Sequence, residues 1–148
     1  LDNCPATFNP MQVDTDLDLV GDLCDCAPMK QGSFAVVQEV ANVSLAGEMT
    51  TTLSWQDQSG SAGNGIKYDV LVQNASAMTV SMPYQGASCA DDDLLLPTAT
   101  DTQAPAAGDV RLFLIRAQNA CGDGTYGSGS GSPDPRAGLN STPTVPCS

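Results

Sequence analysis

Six aspartates lie within the first 25 residues of the chain, LDNCPATFNPMQVDTDLDLVGDLCD, and the first basic residue is Lys30. Carboxylates at this density repel one another, and the stretch has no evident core of its own. It can hold a fixed structure only if something neutralises the charge. The alternative is an acidic tail that stays solvated. We call residues 1–26 the acidic segment.

The spacing of these aspartates indicates a calcium ion. In DTDLDLVGDLCD (14–25) they occupy positions 1, 3, 5 and 12, and a backbone carbonyl at position 7 completes the pattern of an EF-hand loop. Ca²⁺ takes about six to eight oxygen ligands in irregular geometry, whereas Mg²⁺ demands an octahedron. Leu19 replaces the usual glycine at position 6, and no helical pattern flanks the loop. The predicted ligands are Asp14, Asp16, Asp18, the Val20 carbonyl and Asp25.

Composition excludes several function classes. The chain has 148 residues, a formal net charge of −12 and only five basic residues, which argues against nucleic-acid binding. No apolar run of about 18 residues is present, so membrane insertion is not expected. With no histidine in the chain, a Ser–His–Asp site is impossible, and no other catalytic arrangement stands out. We predict a protein that is not an enzyme.

Six cysteines and the absence of paired CxxC knuckles favour disulfides over zinc. Together with the poverty in lysine and glutamate, they predict a secreted, extracellular protein in an oxidising environment. The chain lacks a signal peptide and an initiator methionine, so we expect a processed form whose export signal has been removed. Cys4 and Cys24 bracket the aspartate loop, and a disulfide between them would hold its two ends; free thiols are the alternative.

After a linker at 27–33, short strand-like runs alternate with turn clusters. This pattern has a period of two residues and predicts an all-β fold, an antiparallel sandwich of about seven strands over residues 34–136. An extended, proline-rich tail follows at 137–148. Asp91, Asp92 and Asp93 are predicted to form a solvated turn or a weak cation site. The predicted strands cover residues 34–45, 51–56, 66–73, 77–82, 93–97, 109–119 and 124–132.

Two resemblances sharpen these expectations. DNCP, the NP-x-Q step, the D-x-D-x-D ladder and GD-x-CD, all within residues 2–25, resemble a thrombospondin type 3 repeat. That resemblance implies a structural calcium site at the predicted ligands. It further implies that Asp2 and Asp22 reach a second, shared calcium site. Asp2, Asn3 and Asp22 would supply this chain's part of that site, and a neighbouring subunit could complete it.

Residues 34–135 resemble a fibronectin type III domain, of the kind found in large secreted bacterial proteins. Trp55 in TLSWQ stands where these domains carry a buried tryptophan, and RLFLIRAQNACGDG matches their sixth strand, with Phe113 in place of the usual tyrosine. The resemblance implies an immunoglobulin-like sandwich and a Cys89–Cys121 pair. It leaves Cys26 and Cys147, which could meet within one chain if the tail folds back, or between neighbouring chains.

These features predict an extracellular, calcium-binding structural protein that associates with copies of itself, head to tail, into a filament. A single repeat lacks the neighbours on which such repeats usually pack. The alternative is an adhesion or binding module of a larger secreted or cell-surface protein, with a cell-surface or matrix ligand.

Overall fold

The computed structural model describes residues 1–48, 50–79, 84, 86–129, 131, 134–141 and 147. Within these residues the chain is built mainly from β-strands, with three short helical turns. The strands are β1 (Ser44–Ala46), β2 (Thr51–Ser54), β3 (Lys67–Asn74), β4 (Ser88–Leu94), β5 (Thr98–Asp101), β6 (Arg111–Asn119) and β7 (Gly122–Asp123). The helical turns are α1 (Ser59–Ala62), a 3₁₀ turn (Ala75–Ala77) and α2 (Ala137–Ser141).

The strands form two antiparallel sheets, which confirms the all-β prediction. The first sheet has the order β1-β2-β5 and the second has the order β4-β3-β6-β7. The pairing of β3 with β6 is the longest, running without interruption from Lys67–Gln118 to Asn74–Arg111. Pairing of β3 with β4 is irregular, with register shifts on either side of Val70.

One cluster of buried side chains draws on both sheets, because period-two alternation places an apolar residue on the same face at every second position. Trp55 directly follows β2 and is only 6% exposed, as predicted for the resemblance to fibronectin type III. Its ring meets that of Tyr68 edge to face at 5.4 Å. The cluster includes Leu53 and Ala99 from the first sheet, Trp55 just after β2, and Tyr68, Val70, Ile115 and Ala117 from the second sheet.

Three of the predicted strands correspond to β2, β3 and β6, and the others differ. The strand predicted at 34–45 pairs only at its end, in β1. The strand predicted at 77–82 begins as the 3₁₀ turn, and residues 80–82 lie outside the described residues. The strand predicted at 124–132 is displaced to β7, and its residues 130 and 132 lie outside the described residues.

The largest strand error concerns DLLLP at 93–97. This apolar run largely forms the turn between β4 and β5, with Leu95 and Leu96 exposed. The aspartates of residues 91–93 instead lie in β4, so the predicted solvated turn is wrong. Pairing with β3 and charge compensation, described below, outweigh the poor strand propensity of aspartate.

All six cysteines are paired in three disulfides, an arrangement typical of an oxidising environment. Cys4–Cys24 confirms the prediction. Cys89–Cys121 and Cys26–Cys147 are wrong: Cys26 bonds Cys121 and Cys89 bonds Cys147.

The error follows from the path of the chain ends. The acidic segment leads straight to the β6–β7 turn, which carries Cys121. The chain then returns so that Cys147 is buried against Leu71 and Tyr126 beside the second sheet. An interchain bond at Cys26 or Cys147 is therefore excluded, since both are used within the chain.

The tail also begins differently from the prediction, because Ala137–Ser141 forms α2 rather than extended chain. Among the described residues no helix has the length and apolar character needed to cross a bilayer.

Candidate functional site

The aspartate loop folds with its acids inward and its leucines outward. Asp14, Asp16 and Asp18 are half-buried, whereas the intervening Leu17 and Leu19 are 73% and 83% exposed. This reverses the usual distribution of polar and apolar side chains. The loop is therefore organised around its carboxylates, and apolar burial contributes little to it.

The carboxylates cap the loop's own backbone. Asp14 accepts hydrogen bonds from the backbone N–H groups of Leu17 (2.8 Å) and Leu19 (3.1 Å). The Asp16 Oδ1 atom accepts from Asp18 N at 3.3 Å, and the Asp18 Oδ1 atom accepts from Val20 N at 3.0 Å. Alternating aspartates thus form successive turns of the Asx type, which point their side chains to one side.

The second oxygen of several carboxylates is buried without a hydrogen-bond donor. Oδ2 of Asp16, of Asp18 and of Asp25 is in this state. Asp25 repeats the same division of roles, since its Oδ1 accepts from Ala27 N at 2.7 Å. An uncompensated buried anionic oxygen costs on the order of a few kcal/mol.

The acids also lie close to one another. Asp14, Asp16 and Asp18 each offer one carboxylate oxygen, and these oxygens lie within 4.8 Å of one another. Asp25 lies outside this close group, but the charges of the loop reach it: burial raises its pKa first, and the charges of Asp18 and Asp16 raise it further. A cluster of hard, anionic oxygens with orphaned lone pairs fits a hard divalent cation.

Two further acids have structural partners of their own. Asp22 accepts hydrogen bonds from Thr15 N (2.7 Å) and Thr15 Oγ1 (2.6 Å), tying the two ends of the loop together. Asp2 accepts from Cys4 N and from Gln12 Nε2, both at 3.0 Å, and these bonds lower its pKa. The second calcium site predicted at Asp2, Asn3 and Asp22 stays a prediction.

Asn3 joins the start of the acidic segment to its end. Its backbone N–H donates to Gln12 Oε1 at 2.9 Å, and its carbonyl accepts from Gly21 N at 2.9 Å. Gly21 is required by this close approach, because a Cβ there would lie 2.5 Å from Asn3 Oδ1. Sequence reasoning assigned no role to Thr15 or Gln12, although Gln12 belongs to the NP-x-Q step that carried the resemblance.

The loop backbone carries local strain. Leu17 and Leu19 adopt φ values of 65° and 81°. This left-handed region disfavours residues with a side chain and suits glycine, the residue usual at position 6. Leu19 stands where the EF-hand pattern has glycine, and its backbone adopts the conformation that glycine would tolerate better.

A second acidic cluster has compensating partners. Asp69 is fully buried and forms an ion pair with Arg116, with 2.7 Å between Oδ2 and Nε. Asp93 forms an ion pair with Lys67, and Gln118 donates to both acids at 3.2 and 2.8 Å. Local cations and donors thus offset the charges of Asp69 and Asp93, in contrast to the aspartate loop.

No family model matches the chain, and no curated protein matches it significantly.

Proposed function

We propose that the chain is an extracellular structural protein whose acidic segment is a thrombospondin type 3-like calcium repeat. The observation that carries this proposal is the set of three carboxylate oxygens, on Asp16, Asp18 and Asp25, that are buried without a donor. A Ca²⁺ ion would bind the free oxygens of Asp16 and Asp18, whose carboxylates lie close together, and relieve the repulsion between the acids. Asp25, at position 12 of the loop, is proposed as a further ligand. Asp14 and the Val20 carbonyl would complete the ligand set.

Calcium would act here as the core of the segment. Within residues 1–26, Cys4, Gly21 and Asp25 are the only buried residues, so apolar packing supplies little stability. The ion and the Cys4–Cys24 disulfide would together hold the segment in its fold. A site that supplies folding energy in this way is structural rather than regulatory.

We further propose that the two sheets form a fibronectin type III-like sandwich. The strand orders β1-β2-β5 and β4-β3-β6-β7 fit a sandwich of this kind. Burial of Trp55 and the shared core cluster support the assignment.

Self-association is proposed from the outer surface of the acidic segment. Its apolar side chains point to solvent, and several of them border a groove of about 420 Å³. Contiguous exposed apolar surface is typical of an interaction site. A second copy is the occupant we favour, giving a head-to-tail filament that depends on calcium. The groove is lined by the exposed side chains of Phe8, Met11, Val13 and Leu23, and Leu1, Leu17 and Leu19 are exposed elsewhere on the segment.

The alternative, an adhesion module of a larger secreted protein, is favoured by one specific observation. All six cysteines are paired within the chain, so no thiol remains for a covalent link between subunits. In that case a neighbouring domain or a matrix ligand would cover the apolar surface.

The deciding experiment measures particle mass and shape by light scattering and negative-stain microscopy, in millimolar Ca²⁺ and after EGTA. Three variants accompany the unaltered chain: Asp16→Asn in the loop, Met11→Ser on the apolar surface, and Leu95→Ser as a matched control. Leu95 is 75% exposed but lies in the β4–β5 turn, away from the acidic segment in sequence.

We expect linear particles in Ca²⁺ that dissociate in EGTA, are lost in Asp16→Asn and Met11→Ser, and persist in Leu95→Ser. A monomer under every condition would overturn the filament and leave the adhesion module. Failure to bind Ca²⁺ at all, measured by calorimetry, would overturn both.

A further inference from the structure

A cavity of about 260 Å³ opens between β4 and β5, the edge strands of the two sheets. Leu53, Val70 and Val72 contribute apolar surface to its lining, and Phe113 adds an aromatic ring. Both flanking strands lie at the edge of their sheet among the described residues. The lining is mixed, because charged and hydroxyl side chains stand beside these apolar ones, and a concave site with both kinds of group can hold a small amphipathic ligand.

Three charged side chains converge on the cavity from three strands. Asp91 of β4 pairs with Val70, a core residue, so its side chain lies on the inner face of the second sheet. Asp101 of β5 follows buried Ala99 by two residues and shares its face. Arg111 opens β6 and lines the same space.

Asp101 and Gln103 together engage the arginine. Arg111 Nε lies 2.5 Å from Asp101 Oδ2, and both side chains are nearly buried, at 15% and 11% exposure. The remaining guanidinium nitrogens bond Asp101 Oδ1 and Gln103 Oε1, each at 3.3 Å. The guanidinium also lies 6.0 Å from the Phe113 ring centre. Arg111 is therefore committed to the opposite wall of the cavity.

The carboxylate of Asp91 has no such partner. Among the described residues the Asp91 side chain has no hydrogen bond or ion pair, and it is partly buried. Burial raises its pKa, and the charge of Asp101 adds to the effect. With Asp91 and Asp101 both ionised against a single guanidinium, the lining carries one negative charge in excess.

We propose that this cavity binds an alkylammonium group, with the ammonium against Asp91 and the alkyl chain against the apolar lining. A primary ammonium would restore neutrality and supply the donors that Asp91 lacks. A short methylene chain suits the apolar lining better than a hydrated metal ion does. The same group could come from a free amine or from a lysyl side chain on an extended peptide that pairs with an edge strand.

The test is a titration of the full-length protein in Ca²⁺, monitored by ¹H–¹⁵N NMR and calorimetry. The probes are n-butylamine for a free amine, Nα-acetyl-lysine methylamide for a lysyl side chain, n-butanol as a neutral analogue, and additional Ca²⁺. The variants are Asp91→Asn and the matched control Asp92→Asn. Asp92 is the adjacent acid on the same strand, and alternation directs it to the other face.

We expect butylamine to shift the resonances of residues around the cavity. Butanol should have no effect. Asp91→Asn should weaken binding about tenfold or more, and Asp92→Asn should leave it unchanged. Tighter binding of the lysine derivative than of butylamine would identify a peptide as the source, and equal or weaker binding a free amine. No binding of either amine, equal binding of butanol, or equal loss in both variants would overturn the proposal. So would Ca²⁺ producing the same shifts in place of the amines. Circular dichroism of each variant checks that the fold is retained.

Discussion

The acidic segment and the two sheets solve the same problem in opposite ways. In the sheets, buried apolar residues such as Leu53 and Val70 form the interior. In the acidic segment the half-buried side chains are aspartates, and the leucines between them face solvent. One region is stable because it removes apolar surface from water, and the other requires something to neutralise converging charges. The comparison teaches that burial in this chain has two different chemical causes.

The largest expected effect tests the apolar side of this comparison. Replacing Trp55 by alanine removes the ring that packs on Tyr68 and should lower the free energy of unfolding of the sheets by about 3–5 kcal/mol. Chemical denaturation followed by circular dichroism measures this loss. Calcium affinity of the acidic segment should stay unchanged. Leu95→Ala, at an exposed position, should cost less than about 0.5 kcal/mol.

Two of the disulfides bear on the regions differently: Cys26–Cys121 ties the end of the acidic segment to the second sheet, and Cys4–Cys24 lies within the segment. Removing Cys26–Cys121, which closes 95 residues, should destabilise the sheets by about 2–4 kcal/mol. Removing Cys4–Cys24, which closes 20 residues within the acidic segment, should instead reduce calcium affinity and leave the main unfolding transition in place. Paired Cys→Ala variants, each measured by denaturation and by calcium calorimetry, test this contrast. Identical profiles for the two variants would show that the regions are not separable.

A smaller effect is expected from one carboxylate. Asp16→Asn removes a charge from a buried oxygen that has no donor and should weaken calcium binding about 10- to 100-fold. The sheets should keep their denaturation midpoint. Asp123→Asn, on exposed β7, is the matched control and should leave the affinity unaltered. Equal effects of the two substitutions would indicate general electrostatic attraction rather than a defined site.

The smallest effect concerns backbone strain at Leu19. Glycine at this position relieves a φ of 81° and should strengthen calcium binding by about 1 kcal/mol. Leu23→Gly is the control, because Leu23 is also exposed and has no positive φ. It should weaken binding slightly through added flexibility of the unbound segment. Calorimetry of the two variants and the unaltered chain measures the change in calcium-binding free energy in each case. Weaker calcium binding by Leu19→Gly would contradict this account of the loop.

Local pattern predicted the features that local chemistry determines. Alternation located β2, β3 and β6, and the cysteines at the ends of the aspartate loop located Cys4–Cys24. The remaining disulfides depend on the path of residues far apart in sequence, which no local pattern contains. The sequence did not predict the strand at residues 88–94, because its aspartates disfavour a strand unless distant groups compensate them. Lys67 of β3 and Gln118 of β6 supply that compensation at Asp93, and they lie far from it in sequence.

The central claim is that calcium forms the interior of the acidic segment. Hydrogen exchange measured by mass spectrometry in Ca²⁺ and in EGTA tests it most directly. The account predicts that amides of residues 14–25 are protected in Ca²⁺ and exchange rapidly in EGTA, while β3 and β6 keep their protection in both. Equal protection of residues 14–25 in the two conditions would contradict it.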